Sequence, residues 1–301
     1  MLAIVGGLVT ACLWASTLLG SARASRLIGS WATLGWVMLV GLAVAAPAVI
    51  VLAPSVAFTG SDLTYLVAAG ISNSAGLLLV YTALRRGKVA VVGPIVSTEG
   101  AIGAVLAIIA GDPVQAATMI LLATIAIGVV LAAIERPLPA SDDLAGHVAP
   151  AVAAPVADEP RVSAIATAAI ALGGAILFGV NLFATSRLAG DVPLVWTILP
   201  ARIAGVVGVT IPLLLMGRLT ISRAAIPFVV YVGLAEVAGT ATYAFASTDS
   251  APVASVISSQ FAAIAAVVAF LLYGERLTRL QTAGVITIVV GVSLLAVVQA
   301  G

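Results

Sequence analysis

Three ionisable residues, Glu99, Arg202 and Glu236, lie inside long apolar runs of the sequence. Facing lipid, each would cost ~2.5–3.5 kcal/mol at the bilayer centre, so each is expected to face a cavity or a charged partner. One arginine cannot neutralise two carboxylates, so one acid must be protonated, hydrated or used in binding. Two interpretations stay open: an ion pair of Arg202 with one glutamate that only joins helices, or a site for a solute or a coupling proton, with Glu99 as the first candidate.

Uncharged polar and aromatic residues in neighbouring runs could complete such a site. Amide and hydroxyl groups offer hydrogen bonds to a polar solute, and the candidates are Asn73, Thr98, Asn181, Ser258 and Gln260. Aromatic rings could line the same cavity, or pack in the core and anchor the membrane interface, and these are Trp14, Tyr81, Trp196 and Tyr243. The sequence has one cysteine, one histidine and no catalytic Ser/His or phosphate-loop motif, so we expect no enzyme, no metal site and no cofactor.

The composition shows which elements must position these residues. The 301-residue chain is 62% hydrophobic and 8% charged, whereas a soluble domain carries roughly 25% charged residues. Its net charge of +1 gives no reason to expect a nucleic-acid partner. A membrane-spanning helix needs ~20 mostly apolar residues. The sequence therefore predicts an all-α integral membrane protein with ten spans, at about 2–22, 30–52, 63–84, 89–110, 114–134, 163–186, 192–216, 224–246, 252–273 and 279–299.

The ten spans repeat as two sets of five. LWASTLLGSAR (13–23) aligns with LFGVNLFATSR (177–187), and an offset of 162 to 165 holds through all five span pairs. This alignment puts Glu99 opposite Phe261, Arg202 opposite Val37 and Glu236 opposite Asn73. Residues 1–134 and 163–301 are the predicted halves, and 135–162 is a Pro-, Ala- and acid-rich linker that does not cross. Because five is odd, the halves must be inverted in the membrane, as in many secondary transporters.

Several stretches resemble the EamA-type members of the drug/metabolite transporter superfamily. They are LWAST in span 1, YTALRRGKVAVVGPIVSTEGAIGAVLAIIAGD across spans 3 and 4, and the last two spans with the turn Gly274-Glu275-Arg276-Leu277. The first half has Gly111-Asp112-Pro113 in place of that turn. The resemblance implies a secondary active transporter that moves a small organic metabolite, an amino acid or similar solute, in the export direction by alternating access. The alternative is a divalent-cation (Mg²⁺) transporter or channel, which would need several carboxylates facing one pore.

The distribution of basic residues predicts an orientation in the cell (inner) membrane. Eleven of the thirteen Lys and Arg residues flank the odd-numbered loops, and they are Arg23, Arg26, Arg85, Arg86, Lys88, Arg136, Arg161, Arg218, Arg223, Arg276 and Arg279. Loops rich in Lys and Arg stay on the cytoplasmic side. We therefore expect the linker in the cytoplasm and both termini outside. The sequence leaves the oligomeric state open, with a monomer among the alternatives.

Overall fold

The computed structural model describes residues 1–52, 57–111, 116–133, 163–188, 192–258, 260–273 and 277–300. Within these ranges the chain is helical and has no strand. The predicted linker and Gly274–Arg276 lie outside the described residues. The helices are α1 (Leu2–Ile28), α2 (Ser30–Leu52), α3 (Gly60–Arg86), α4 (Val89–Val96), α5 (Glu99–Ile109), α6 (Ala116–Ala133), α7 (Ala164–Ser186), α8 (Ile198–Gly205), α9 (Ile211–Leu215), α10 (Ile226–Ser258), α11 (Phe261–Tyr273) and α12 (Arg279–Ala300).

Seven helical segments of the described chain are long and apolar enough to cross a membrane. They are Ile4–Ile28, Ser30–Val51, Gly60–Arg86, Val89–Ile109, Ala164–Ser186, Ile198–Leu215 and Ile226–Tyr243. Three shorter apolar helices, Met119–Ala132, Phe261–Leu271 and Arg279–Leu295, fall within predicted spans 5, 9 and 10. The protein is thus an all-α, multi-pass membrane protein, and the crossing of all ten spans stays a prediction.

One predicted break between spans is wrong. The sequence indicates a loop at 247–251, but α10 is a continuous helix of 33 residues from Ile226 to Ser258. At 1.5 Å per residue it is about 50 Å long, which exceeds the ~30 Å hydrocarbon layer. Polar residues mark where a helix leaves the apolar layer, and they do not by themselves end its backbone hydrogen bonding.

Predicted span 4 is interrupted directly before Glu99. Pro94 lies inside α4, and the helix ends at Val96. The Ser97 hydroxyl donates to the Pro94 carbonyl (2.8 Å), and the Thr98 hydroxyl donates to the Ile95 carbonyl (2.7 Å). Hydroxyls that bond nearby carbonyls in this way compete with the helix ladder. The span therefore consists of two short helices, and the second of them, α5, starts with Glu99.

A second interruption, between α10 and α11, has the same backbone hydrogen bonds. The Gln260 N–H donates to the Ile257 carbonyl (3.2 Å), and the Ile264 N–H donates to the Gln260 carbonyl (3.0 Å). At the first interruption, the corresponding bonds donated by Thr98 and Ile102 measure 3.2 and 3.0 Å. The two sets are 162 residues apart, so both interruptions fall at aligned positions of the predicted halves.

Close packing between α3 and α8 positions the arginine of the site. A Cβ atom at Gly70 would lie 2.6 Å from the carbonyl carbon and oxygen of Pro200, so only glycine allows this approach. One turn further along α3, the buried Ser74 hydroxyl donates to the Ala201 carbonyl (2.7 Å). Arg202 follows directly in the sequence. A π-helical turn, Val206–Thr210, then joins α8 to α9, and such turns occur often beside functional sites.

Candidate functional site

A cavity of about 190 Å³ lies between α1, α3, α7, α8 and α10, with the ends of α4, α5 and α11 completing its wall. Eight of the twelve site residues predicted from the sequence line it. They are Trp14, Asn73, Tyr81, Glu99, Asn181, Arg202, Glu236 and Tyr243. All three intramembrane ionisable residues therefore face one cavity, although they belong to three different predicted spans.

Arg202 and Glu236 form an ion pair at this cavity. The Arg202 Nη2 and Glu236 Oε2 atoms are 3.5 Å apart, and the two side chains are 4% and 14% exposed. The Arg202 Nη1 atom donates to the sulfur of Met38 at 3.7 Å. The pairing of Arg202 with a glutamate, one of the two interpretations of the sequence, is thus present in the structure, and the partner is Glu236.

Glu99 faces the same cavity without an ion-pair partner among the described residues. Arg202, the arginine that was expected to pair with one of the two glutamates, lies against Glu236 instead. Glu99 is the first residue of α5, where the partial positive charge of a helix N-terminus stabilises an anion. The sequence predicted that this carboxylate faces either a cavity or a charged partner. The structure provides the cavity.

Three residues that line the cavity each carry a polar atom without a hydrogen-bond partner within the described chain. They are the Asn73 Oδ1, Tyr81 hydroxyl and Arg202 Nε atoms, all buried. The Tyr81 side chain is only 2% exposed. A buried polar atom without a hydrogen bond costs about 1–3 kcal/mol. Such atoms gathered around one cavity point to a site that is built to bind a polar molecule.

Aromatic rings form one side of the cavity. The Trp14 ring centroid is 5.8 Å from that of Tyr243 and 6.0 Å from that of Phe261, and the second pair is edge-to-face. A Cβ atom at Gly239 would lie 2.7 Å from the Trp14 Nε1 atom, so the indole is pressed directly against α10. The cavity thus presents carboxylates and π-faces to the same space.

Three predicted polar residues do not line the cavity. The buried Thr98 hydroxyl bonds the Ile95 carbonyl, and the Gln260 Nε2 atom donates to the Ser293 Oγ atom at 2.7 Å. Ser258 is buried at the end of α10. All three sit at the two helix interruptions, where their polar groups are used locally or between helices.

The predicted aromatic residue Trp196 also lies elsewhere. Its ring packs edge-to-face on Phe58 with centroids 5.5 Å apart. Around it are the buried residues Leu66, Leu188 and Val192. Trp196 therefore belongs to a separate apolar cluster at the ends of α3 and α7, which was the packing alternative for this residue.

The sequence analysis missed several polar and aromatic residues of the cavity. These are Thr17, Ser21, Phe178, Thr185, Thr197, Thr240 and Phe261. Helical spacing would have found most of them, because residues three, four and seven positions apart share a helix face. Stepping from Trp14 in this way leads to Thr17 and Ser21, and stepping from Glu236 leads to Thr240 and Tyr243.

Metal ligands are not concentrated at this site. In the described ranges, no group of three or more His, Cys, Asp and Glu side chains could hold a metal ion. The cavity has two carboxylates, and one of them is paired with Arg202. No observation favours the divalent-cation alternative.

Comparison with known proteins supports the fold and the family. Fourteen solved protein chains match this structure. One crystal structure of a protein covers 99% of this chain and 98% of its own length, with a TM-score of 0.60 and 15% sequence identity, and it shows the fold alone. No curated protein matches the sequence significantly. Residues 1–134 match the model of the EamA-like transporter family, which belongs to the drug/metabolite transporter superfamily.

Proposed function

We propose that the protein is a secondary active transporter that moves a small organic metabolite across the cell membrane by alternating access. The observation that carries the proposal is the polar cavity, which both predicted halves line with aligned residues. The aligned pairs are Trp14/Phe178, Thr17/Asn181, Leu18/Leu182, Ser21/Thr185, Asn73/Glu236, Tyr81/Tyr243 and Glu99/Phe261. A site at the interface of two inverted repeats is the arrangement that alternating access requires.

The helix contacts agree with two halves whose aligned helices occupy equivalent positions. α1 packs on α10, and the aligned helices α7 and α3 also pack together. α2 contacts α10 as α8 contacts α3, and α1 contacts α11 as α7 contacts α5. Two pairs of aligned helices also meet directly, α2 with α8 and α6 with α12. These contacts support two inverted five-helix repeats, 1–134 and 163–301. The bias of basic residues supports a cytoplasmic linker between them.

The cavity size limits the solute. A cavity of ~150 Å³ can accommodate benzene, so about 190 Å³ suits a molecule of metabolite size. The resemblance favours export of an amino acid or a similar solute. Glu99 is the candidate for carrying a coupling proton, because it is the cavity carboxylate outside the Arg202–Glu236 ion pair.

The test is solute uptake into proteoliposomes against a panel of amino acids, amines, organic acids and sugars, with and without a pH gradient. Thr240→Trp would fill the cavity from α10, whereas Ala238→Trp adds the same ring on the exposed side of that helix. We expect transport of at least one panel member, its loss in Thr240→Trp and its retention in Ala238→Trp.

Two results would contradict the proposal. One is uptake that Thr240→Trp leaves unchanged, because the solute path would then bypass this cavity. The other is the absence of any protein-dependent uptake across the panel by a folded, correctly reconstituted protein.

A further inference from the structure

We infer that the cavity binds an organic monocation, a protonated amine on a compact apolar body, with the Glu99 carboxylate as its counterion. This inference rests on the proposed function, because it names the class of solute for the same cavity.

When both glutamates are ionised, the charges that line the cavity leave one negative charge. Glu99 and Glu236 contribute two carboxylates, and Arg202 contributes one guanidinium. Arg202 and Glu236 lie within 3.5 Å and offset each other. Charges interact more strongly in a medium of low dielectric constant than in water. A bound group with a single positive charge therefore balances the cavity, whereas an anion would add to its negative charge.

Arg202 is poorly placed to bind a carboxylate of the solute. A guanidinium holds a carboxylate best through two parallel N–H donors. Here the Nη2 atom lies against Glu236, and the Nη1 atom donates to the sulfur of Met38. Only its Nε atom lacks a partner among the described residues. An amino acid would supply the same ammonium group as an amine, but its carboxylate would have to disrupt the existing ion pair.

The remaining polar atoms suit an ammonium group. A protonated primary amine has three N–H donors and no acceptor. Residues that line the cavity carry three acceptors, the Glu99 carboxylate, the Asn73 Oδ1 atom and the buried Tyr81 hydroxyl, and within the described chain the last two have no hydrogen bond. These acceptors would be satisfied by the one group of the solute that also neutralises Glu99.

The aromatic wall suits the same ligand. Trp14, Tyr243 and Phe261 form a contiguous ring cluster that lines the cavity. Aromatic faces attract cations, and this attraction is strongest in sites from which water is excluded. Their apolar area also packs against the body of the solute. Carboxylate, acceptors and π-faces thus select for positive charge and apolar bulk together.

The experiment compares four ligands that share one phenyl ring and differ in charge. Phenethylamine is a cation, phenylalanine a zwitterion, 2-phenylethanol neutral and phenylacetate an anion. Equilibrium binding to the full-length protein in lipid nanodiscs is measured by calorimetry. A hydrogen bond to a charged group contributes about 1.5–3 kcal/mol, so we expect phenethylamine to bind ~10- to 100-fold more tightly than the other three. Glu99→Gln should remove that preference, and Asp62→Asn, which neutralises an acid outside the cavity, should retain it.

Tighter binding of phenylalanine than of phenethylamine would overturn the inference, and so would unchanged phenethylamine affinity in Glu99→Gln. Binding of none of the four would overturn it as well. Each of these results leaves the proposed function standing if the transport panel identifies a solute and Thr240→Trp blocks its uptake. Conversely, amine binding without transport of any solute would contradict the proposed function but would support the cation site.

Discussion

Arg202 and Glu236 neutralise each other in the bundle, and the cost of separating them can be measured. Removing one member of a buried pair costs about 3–5 kcal/mol, because the other is left as an uncompensated charge. We expect Arg202→Ala to lower the thermal unfolding temperature, and a second change, Glu236→Gln, to recover part of the loss. The exposed Arg218→Ala is the matched control and should change stability by less than about 0.5 kcal/mol.

A different outcome would assign Arg202 to the solute. If Arg202→Ala unfolds at the wild-type temperature but does not transport, the arginine contacts the solute and contributes little to the fold. If both properties are unchanged, Arg202 has no part in either, and the ion pair seen at 3.5 Å is without measurable consequence.

Neutralising the Glu99 side chain should leave the fold stable but should impair transport. Its carboxylate has no ion-pair partner within the described chain, and the glutamine side chain has the same shape, so Glu99→Gln should unfold at the wild-type temperature. A side-chain amide cannot carry a proton, and we therefore expect uptake driven by a pH gradient to be lost. Proteoliposome uptake at fixed solute concentration measures this, with Asp62→Asn as the charge-matched control. Normal pH-driven uptake by Glu99→Gln would exclude a proton-carrying role.

The charged residues of the cavity could be identified from the sequence, whereas some of the aromatic and amide residues could not. A charge in an apolar run has few tolerable environments, so Glu99, Arg202 and Glu236 were expected at a shared cavity or in a pair. An aromatic ring or an amide fits packing, anchoring and binding equally well. Tyr243 and Trp196 are therefore similar in sequence terms, yet one lines the cavity and the other packs on Phe58.

At the scale of elements, the contact of α3 with α8 depends on one glycine. In Gly70→Ala the added methyl group would meet the backbone of Pro200, which cannot rotate away as a side chain could. Overpacking of this kind typically costs 1–3 kcal/mol. We expect Gly70→Ala to lower the unfolding temperature and to weaken transport, because α8 carries Arg202.

Gly100→Ala is the control for this prediction. Gly100 is also helical, and a Cβ atom there would have no neighbour within 4 Å. Alanine is about 0.8–1 kcal/mol more favourable than glycine in a helix, so this variant should be at least as stable as wild type. Equal unfolding temperatures for the two alanine variants would contradict the close contact at Pro200.

Helix positions followed from apolar length, but helix continuity did not. The sequence expects a break after residue 246 and an unbroken span at 89–110, and the structure has the reverse in both places. Asp249 and its polar neighbours are compatible with a helix that extends beyond the lipid. Within an apolar run, Ser97 and Thr98 are compatible with a continuous helix. Only their hydrogen bonds to the carbonyls of Pro94 and Ile95 reveal an interruption.

At the scale of the whole molecule, the orientation in the membrane is the prediction to test first. The bias of basic residues places the linker in the cytoplasm and both termini outside. A reporter fused at Gly301 should therefore signal from outside, and a cysteine at Ala145 should react only with reagents that reach the cytoplasm; both positions lie outside the described residues. Cys12 is exposed on α1 and must first be replaced by serine. A cytoplasmic signal from Gly301 would reverse the orientation.

The correspondence between the two predicted halves could be read from the sequence, but the different parts that their helices take in the cavity could not. The offset of 162 to 165 residues predicts which helices correspond, and the division into two repeats stays a prediction. The offset did not indicate that α8 lines the cavity through Ile198, Ala201 and Arg202 while α2 is absent from the lining. That asymmetry depends on how the helices pack, which is determined by contacts such as those of Gly70 and Ser74 that join distant parts of the chain.

The two interruptions with matching hydrogen bonds have a mechanical consequence. A continuous helix is a stiff rod, and bending it strains every bond of its ladder. Interrupted at residues 97–98, the fourth span is two short rods joined by a pivot, and the interruption at Gln260, between α10 and α11, repeats this design beside the same cavity. Tilting one rod on either pivot requires changes in a few backbone torsions and breaks no regular helical turn. Glu99 and Phe261 begin the rods beyond the two pivots, so such a tilt would move a wall of the cavity while leaving the helix bonds intact.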